Sequence, residues 1–180
     1  MAVWGSQHDV AWTAGRVEAR RYRPRVVAQV IVCGPQRAAL DEGFSLLAAY
    51  ILGKNDAGQV MELTVPLLQQ KLDCVPAGSW AVQLILPDDR KMENLPRPLG
   101  SRVELRALPE ATFATLRFSL SARARKLARK ERVLREALAE RGTAVVGEPI
   151  YAFYSSPLIP PFVRRNEVWL DITAGDEERA

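Results

Sequence analysis

Two periodicities alternate along this chain, and the whole alternation occurs twice. From Arg16 the residues alternate as a strand does, with Val17, Ala19 and Arg21 opposing Glu18, Arg20 and Tyr22. Pro24 interrupts, and the β-branched run RVVAQVIVC that follows predicts a second strand. The period then changes. Leu40, Phe44, Leu47, Ala48 and Ile51 recur at helical spacing between Pro35 and Gly53, which predicts a helix over 36–52. Half a chain later the order returns: Val103-Glu104-Leu105-Arg106 echoes Val17-Glu18-Ala19-Arg20, residues 112–120 echo the β-branched run, and a helical pattern over 122–141 stops at Gly142. Residues 59–69 alternate with Met61, Leu63 and Val65 on one face, and 79–87, 148–155 and 167–172 read as further strands. The proline-bearing stretch 88–100 predicts a loop between the copies.

About eight strands and two helices predict an α+β fold, a distorted antiparallel β-barrel flanked by two helices. Stacked repeat arrays need roughly three or more units to bury a shared core. Two long copies instead imply one domain over 16–173, made of pseudo-twofold-related halves at about 16–87 and 101–173. A ligand site is expected at the seam of such halves. Residues 1–15 hold Trp4 and Trp12 but show no period, so they are expected to be an N-terminal arm, and 174–180 a charged tail.

Composition narrows the class. The 180 residues are 48% hydrophobic and 26% charged, which is ordinary for a globular domain able to bury a core. No apolar run approaches the roughly 20 residues of a membrane span, and the first residues lack the pattern of a secretory signal, so a cytoplasmic location is expected. Cys33 and Cys74 stand far apart and in no CxxC arrangement, which reads as two reduced thiols. The formal charge is +4, but segment 122–141 alone holds eight Lys/Arg against three Glu, and the rest of the chain sums to −1. One basic helix without an aromatic residue argues against nucleic-acid binding. It is either a solvated face or an interaction surface.

Catalytic constellations are missing. His8 is the sole histidine and lies near the N-terminus, which leaves no Ser-His-Asp or Cys-His arrangement. No metal-ligand spacing and no glycine-rich phosphate loop occurs. The carboxylate pairs Asp41-Glu42 and Asp88-Asp89 are adjacent rather than convergent. The chain reads as a non-enzymatic binder. Phe44, Leu47 and Ile51 on the first helix, with Met61, Leu63 and Val65, either line an apolar pocket or fill the core. Arg20, Arg21, Arg23 and Lys54 either hold a ligand's carboxylates at its rim or are surface charge.

Six landmarks occur together and in order: Glu18-Ala19-Arg20-Arg21-Tyr22-Arg23-Pro24; Gly43-Phe44 with Tyr50-Ile51-Leu52-Gly53-Lys54-Asn55; Leu63-Thr64-Val65-Pro66; Leu95-Pro96-Arg97-Pro98; Pro160-Pro161-Phe162-Val163-Arg164-Arg165; and Asn166-Glu167-Val168-Trp169-Leu170. In these the chain resembles the SOUL haem-binding protein family over about 16–172. The resemblance implies a two-helix distorted barrel and a shallow apolar groove for haem or a related tetrapyrrole, beside the first helix and the loop after it. It carries Lys54, Asn55, Met61 and Leu63 into that groove, beside the Arg20, Arg21, Phe44, Leu47 and Ile51 that the residue pattern already puts forward. Two positions depart from the family pattern. Some members carry histidine where Arg21 stands, and that histidine is their proposed axial ligand. Methionine is common where Leu63 stands. Arginine stays protonated and has no lone pair for iron. The implied ligand is therefore haem or protoporphyrin held without histidine, its iron unligated or weakly ligated by Met61 or Tyr22, in a carrier or buffer. The other reading is a protein of the same fold that takes another small apolar ligand or interacts through its basic helix. The oligomeric state stays open.

Overall fold

The computed structural model describes residues 3–4, 8–73, 78–87, 91–119, 122–154 and 164–173. Its elements are β1 (Val3–Trp4), β2 (His8–Ala14), β3 (Val17–Tyr22), β4 (Arg25–Cys33), α1 (Gln36–Ile51), β5 (Thr64–Val65), β6 (Leu67–Lys71) and β7 (Ser79–Ile85). A 3₁₀ turn (Met92–Asn94) follows, then β8 (Glu104–Leu108), β9 (Ala111–Phe118), α2 (Ala124–Glu140), β10 (Val146–Phe153) and β11 (Asn166–Asp171). This is the α+β class the periodicities predict. Cys74 and the run Pro157-Leu158-Ile159-Pro160-Pro161 lie outside the described residues.

The chain forms two compact units. The first gathers Pro24–Pro109 with β1, and the second gathers His8–Arg23 with the chain from Glu110 onward. In the first, an antiparallel sheet of order β6-β7-β4-β8 carries α1, and β1 pairs in parallel with β5. In the second, an antiparallel sheet of order β2-β3-β9-β11-β10 carries α2. Taken within its own unit, each sheet is open, where the periodicities led us to expect a barrel.

The sequence repeat is exchanged between the units. β3 opens the first copy, yet it pairs with β9 of the second, Ala19 opposite Ala114. β8 opens the second copy, yet it pairs with β4 of the first, Leu105 opposite Ala28. Each unit therefore takes its leading strand from the other copy. Pro24 and Pro109 sit just after those leading strands, where a missing N–H cannot continue a ladder.

The two helices are seated differently. In α1 the buried residues are Ala39, Leu40, Gly43, Leu47, Tyr50 and Ile51. The expected stripe is thus rotated: Gly43 and Tyr50 face inward, and Phe44 remains 37% exposed. The cause is a close approach. A Cβ on Gly43 would lie 2.6 Å from the side chain of Val82 on β7, so only glycine lets the helix sit there. In α2 the narrow stripe Leu127, Leu134 and Leu138 is buried as the pattern predicts, each worth about 1.5–3 kcal/mol.

Two strand expectations change. Residues 8–14, expected in an arm, form β2, which among the described residues pairs only with β3. A bulge between Val10 and Trp12 breaks the alternation that would have marked it. Residues 59–63 form no strand, Val60 making an isolated bridge to Leu52, and the strands of this stretch are Thr64–Val65 and Leu67–Lys71. Met61 instead donates its backbone N–H to Ile51 O at 2.8 Å, tying the segment back to the helix end.

Candidate functional site

The end of α1 is a built surface. After Ile51 the chain turns through Gly53 (φ 107°) and Gly58 (φ 59°), conformations that L side chains resist. Asn55 is buried inside this turn. Its Nδ2 donates to Tyr50 O (3.2 Å) and Gln59 O (2.8 Å), and its Oδ1 accepts from the Gln59 N–H (2.9 Å). Tyr50 donates its hydroxyl to Pro96 O at 2.9 Å, and the Arg97 N–H reaches Asp56 Oδ1 at 2.8 Å. Burial and then the nearby Asp56 carboxylate push the Tyr50 hydroxyl up to about 12.

This fixed turn holds apolar side chains in solvent. Leu52 and Val60 pair across it, each 67% exposed, and Leu99 is 56% exposed, its N–H donating to Lys54 O at 3.4 Å. Phe44 and Ala48 lie one turn apart on α1, and Leu52 is the C-cap that follows the helix. Lys54, two residues after Leu52, is exposed, with no ion pair among the described residues. Apolar residues grouped in this way mark a binding surface more often than a bare solvated face. Helical periodicity points to Phe44, and charge and the family resemblance to Lys54, but none of these points to Leu52, Val60 or Leu99 as site residues. Their only signal is two apolar residues flanking a glycine-bearing turn.

The other candidate residues are placed as follows. Leu47, Ile51 and Met61 lie in the core beneath this surface, and Leu63 is half-buried. Asn55 uses both of its side-chain polar atoms to hold the turn. Arg20 and Arg21 belong to the second unit. Arg21 is exposed on β3, in register with Asp9 and Thr112. Tyr22 is buried and stacked on Trp169, with ring centroids 4.9 Å apart.

Arg20 faces inward, into a charged cluster. Its Nη1 donates to Glu167 Oε2 at 2.8 Å, and its Nε and Nη2 donate to Glu18 Oε2 at 2.9 and 2.7 Å. Glu167 is fully buried. It also accepts from Tyr154 Oη (2.9 Å), Trp169 Nε1 (2.8 Å) and Arg165 Nη2 (2.7 Å). Burial alone would push the Glu167 carboxyl up, but the Arg20 charge and the donated hydrogen bonds outweigh it and hold the group below its ordinary value. Burial likewise opposes the Arg20 charge, and Glu167 more than compensates. Burial and then Glu167 also push the Tyr154 hydroxyl up. Donors and acceptors here satisfy one another, so the cluster orders the unit.

His8, the sole histidine, lies on β2 with its ring centroid 5.0 Å from that of Tyr22. Among the described residues no group of three or more His, Cys, Asp or Glu could hold a metal ion, and no helix is long and apolar enough to cross a membrane.

A family model described as "SOUL heme-binding protein" matches residues 6–171. Two curated relatives are both called "Heme-binding protein 2". The one from Homo sapiens is 29% identical over 177 residues, covering 93% of this chain and 83% of its own. The one from Mus musculus is 27% identical over 175 residues, covering 94% and 84%. A solved structure titled "Crystal structure of EcmrR C-terminal domain" aligns with a TM-score of 0.60 over 86% of this chain and 95% of that one. At 8% identity that likeness shows the fold alone.

Proposed function

The chain belongs to the SOUL heme-binding protein family, and from that premise we propose that it binds haem or a related tetrapyrrole on the surface at the end of α1, without histidine ligation, as a carrier or buffer. The observation that carries this reading is the pair Leu52 and Val60, each 67% exposed and held beside the exposed Lys54. A flat apolar ligand bearing carboxylates suits such a surface: its face covers Phe44, Leu52, Val60 and Leu99, and a carboxylate meets the Lys54 ammonium. Arg20 is a poor partner for that carboxylate because two glutamates already hold its guanidinium.

The same residues do not supply an axial ligand. Arg21 has no lone pair to donate, Met61 is 7% exposed and Tyr22 is 2% exposed. Affinity then rests on apolar contact. Covering about 300 Å² at about 25 cal/mol per Å² yields about 7 kcal/mol, the range of a micromolar complex rather than a nanomolar one.

Titration of the purified protein with haemin and with iron-free protoporphyrin, followed by absorbance and tryptophan quenching, tests this. Both should saturate in the micromolar range with similar constants. A Leu52→Asp/Val60→Asp double variant should bind both at least tenfold more weakly, and Lys54→Glu should weaken both less. No saturable response to either ligand would sink the reading, and haemin binding a hundredfold tighter than protoporphyrin would overturn its ligation-free form.

A further inference from the structure

Arg123 is the N-cap of α2, and the first half of the helix carries Arg125, Lys126, Arg129 and Lys130 before the first carboxylate, Glu131. None of the five joins an ion pair among the described residues; Glu131 turns to Arg135 (2.9 Å) and Tyr151 (3.2 Å) instead. Lys126 donates to Ser119 O at 2.7 Å. Arg16, between β2 and β3, adds a sixth cation to the group. Burial and then the like charges of Arg16, Arg129 and Lys126 push the Lys130 ammonium down.

This arrangement opposes folding in two ways. Arg125 with Arg129, and Lys126 with Lys130, place like charges one helical turn apart. The helix starts without an acidic residue in its first turn and without a side-chain cap, so the cations also meet the positive end of its dipole. Among the described residues no carboxylate pairs with them.

We propose that this cationic half-helix, with Arg16, docks a short acidic segment of a partner protein. The inference is independent of the tetrapyrrole reading, whose surface is on α1. Guanidinium forks at Arg123, Arg125 and Arg129 suit carboxylates. The length is bounded: Arg123 to Lys130 spans about 10 Å at about 1.5 Å per residue, and further along the exposed face come Glu136 and Glu140. A duplex or a bilayer extends past that limit and meets those carboxylates. The helix offers no aromatic ring for a base to stack on. Its apolar stripe, Leu127, Leu134 and Leu138, is already buried, so it cannot turn to enter lipid.

The test is fluorescence anisotropy with a fluorescein-labelled decaglutamate. Binding should saturate and weaken as sodium chloride is raised. It should fall at least tenfold in Arg125→Gln/Arg129→Gln/Lys130→Gln and change less than twofold in Lys71→Gln/Lys91→Gln/Arg97→Gln, which removes the same charge elsewhere. The helix variant should melt no lower than the parent, since relieved repulsion favours the fold; if it loses its circular dichroism signal, the single Arg129→Gln variant carries the comparison. No saturable binding, or equal losses in the two triple variants, would overturn the proposal. Tighter binding of a duplex oligonucleotide or of phosphatidylserine vesicles than of decaglutamate would overturn it in favour of those polyanions.

Discussion

The two units carry the same leading motif, Val-Glu-Ala-Arg in β3 and Val-Glu-Leu-Arg running into β8, but only the second unit buries the arginine of this motif. With Val103 laid on Val17, the copies match Arg106 to Arg20 and Leu108 to Tyr22. The registers of β4 with β7 and of β9 with β11 extend the match: Val27 to Phe113, Gln83 to Trp169, Ala81 to Glu167. Where the second unit has a carboxylate and three rings in mutual contact, the first has a methyl group, two aliphatic side chains and an amide. Arg106 accordingly stays exposed, 3.4 Å from Gln29 Oε1. The Arg20 guanidinium is drawn inside where the Glu167 carboxylate waits for it, because desolvating an unpaired charge costs more than burying its stem returns. The deciding residue is on a strand distant in sequence.

The largest break in this comparison is Glu167→Gln. It keeps the shape but leaves Arg20 and Arg165 facing a neutral amide that cannot accept all the donors aimed at it. A loss of about 3–5 kcal/mol is expected by urea denaturation. A loss below about 1 kcal/mol would mean the cluster is wet and energetically idle. Acid provides the second break. The folded carboxyl of Glu167 is held below its ordinary value of 4.5, so its contribution is complete above that pH and is lost as pH falls through the lower, folded value. The stability gap between the parent and Glu167→Gln should therefore be full at pH 7 and narrow below about pH 4.5. A gap that widens in acid would reverse the assigned direction.

The helices differ as the charges do. α1 comes so close to β7 that Gly43→Ala must push Val82 aside, an overpacking cost of about 1–3 kcal/mol measured by thermal unfolding. α2 has no such glycine. A neutral result would show that α1 can lift off its sheet without penalty.

Local periodicity made the helices, the repeat and the α+β class readable, since each depends on residues a few positions apart. Strand exchange was not readable, because pairing of β3 with β9 and of β8 with β4 is decided by contacts across the chain. The burial of Glu167 was hidden for the same reason: a carboxylate in an apolar strand reads as its solvent side until Arg20 is known to face it. One cue existed, for Glu167 and Trp169 share a face two residues apart. Phe44 and Lys54 could be named in advance as surface candidates, whereas Leu52, Val60 and Leu99 have no period to announce them.

The smallest expected effect is the sharpest test of the match between copies. Arg106→Gln removes the counterpart of Arg20 from an exposed edge strand whose guanidinium has only a long contact to an amide. Its cost should stay within about 0.5 kcal/mol in urea denaturation. Placing a carboxylate at the matched position, Ala81→Glu, tests the other half of the argument. Ala81 is 3% exposed, so alone the new charge should destabilise the unit. If Arg106 is able to turn inward, Arg106→Gln should cost at least about 1 kcal/mol more in the Ala81→Glu background than in the parent. Additive losses would show that the first unit lacks room for the pair, and that the aromatic wall of Tyr22, Phe113 and Trp169 is as necessary as Glu167 for keeping an arginine inside.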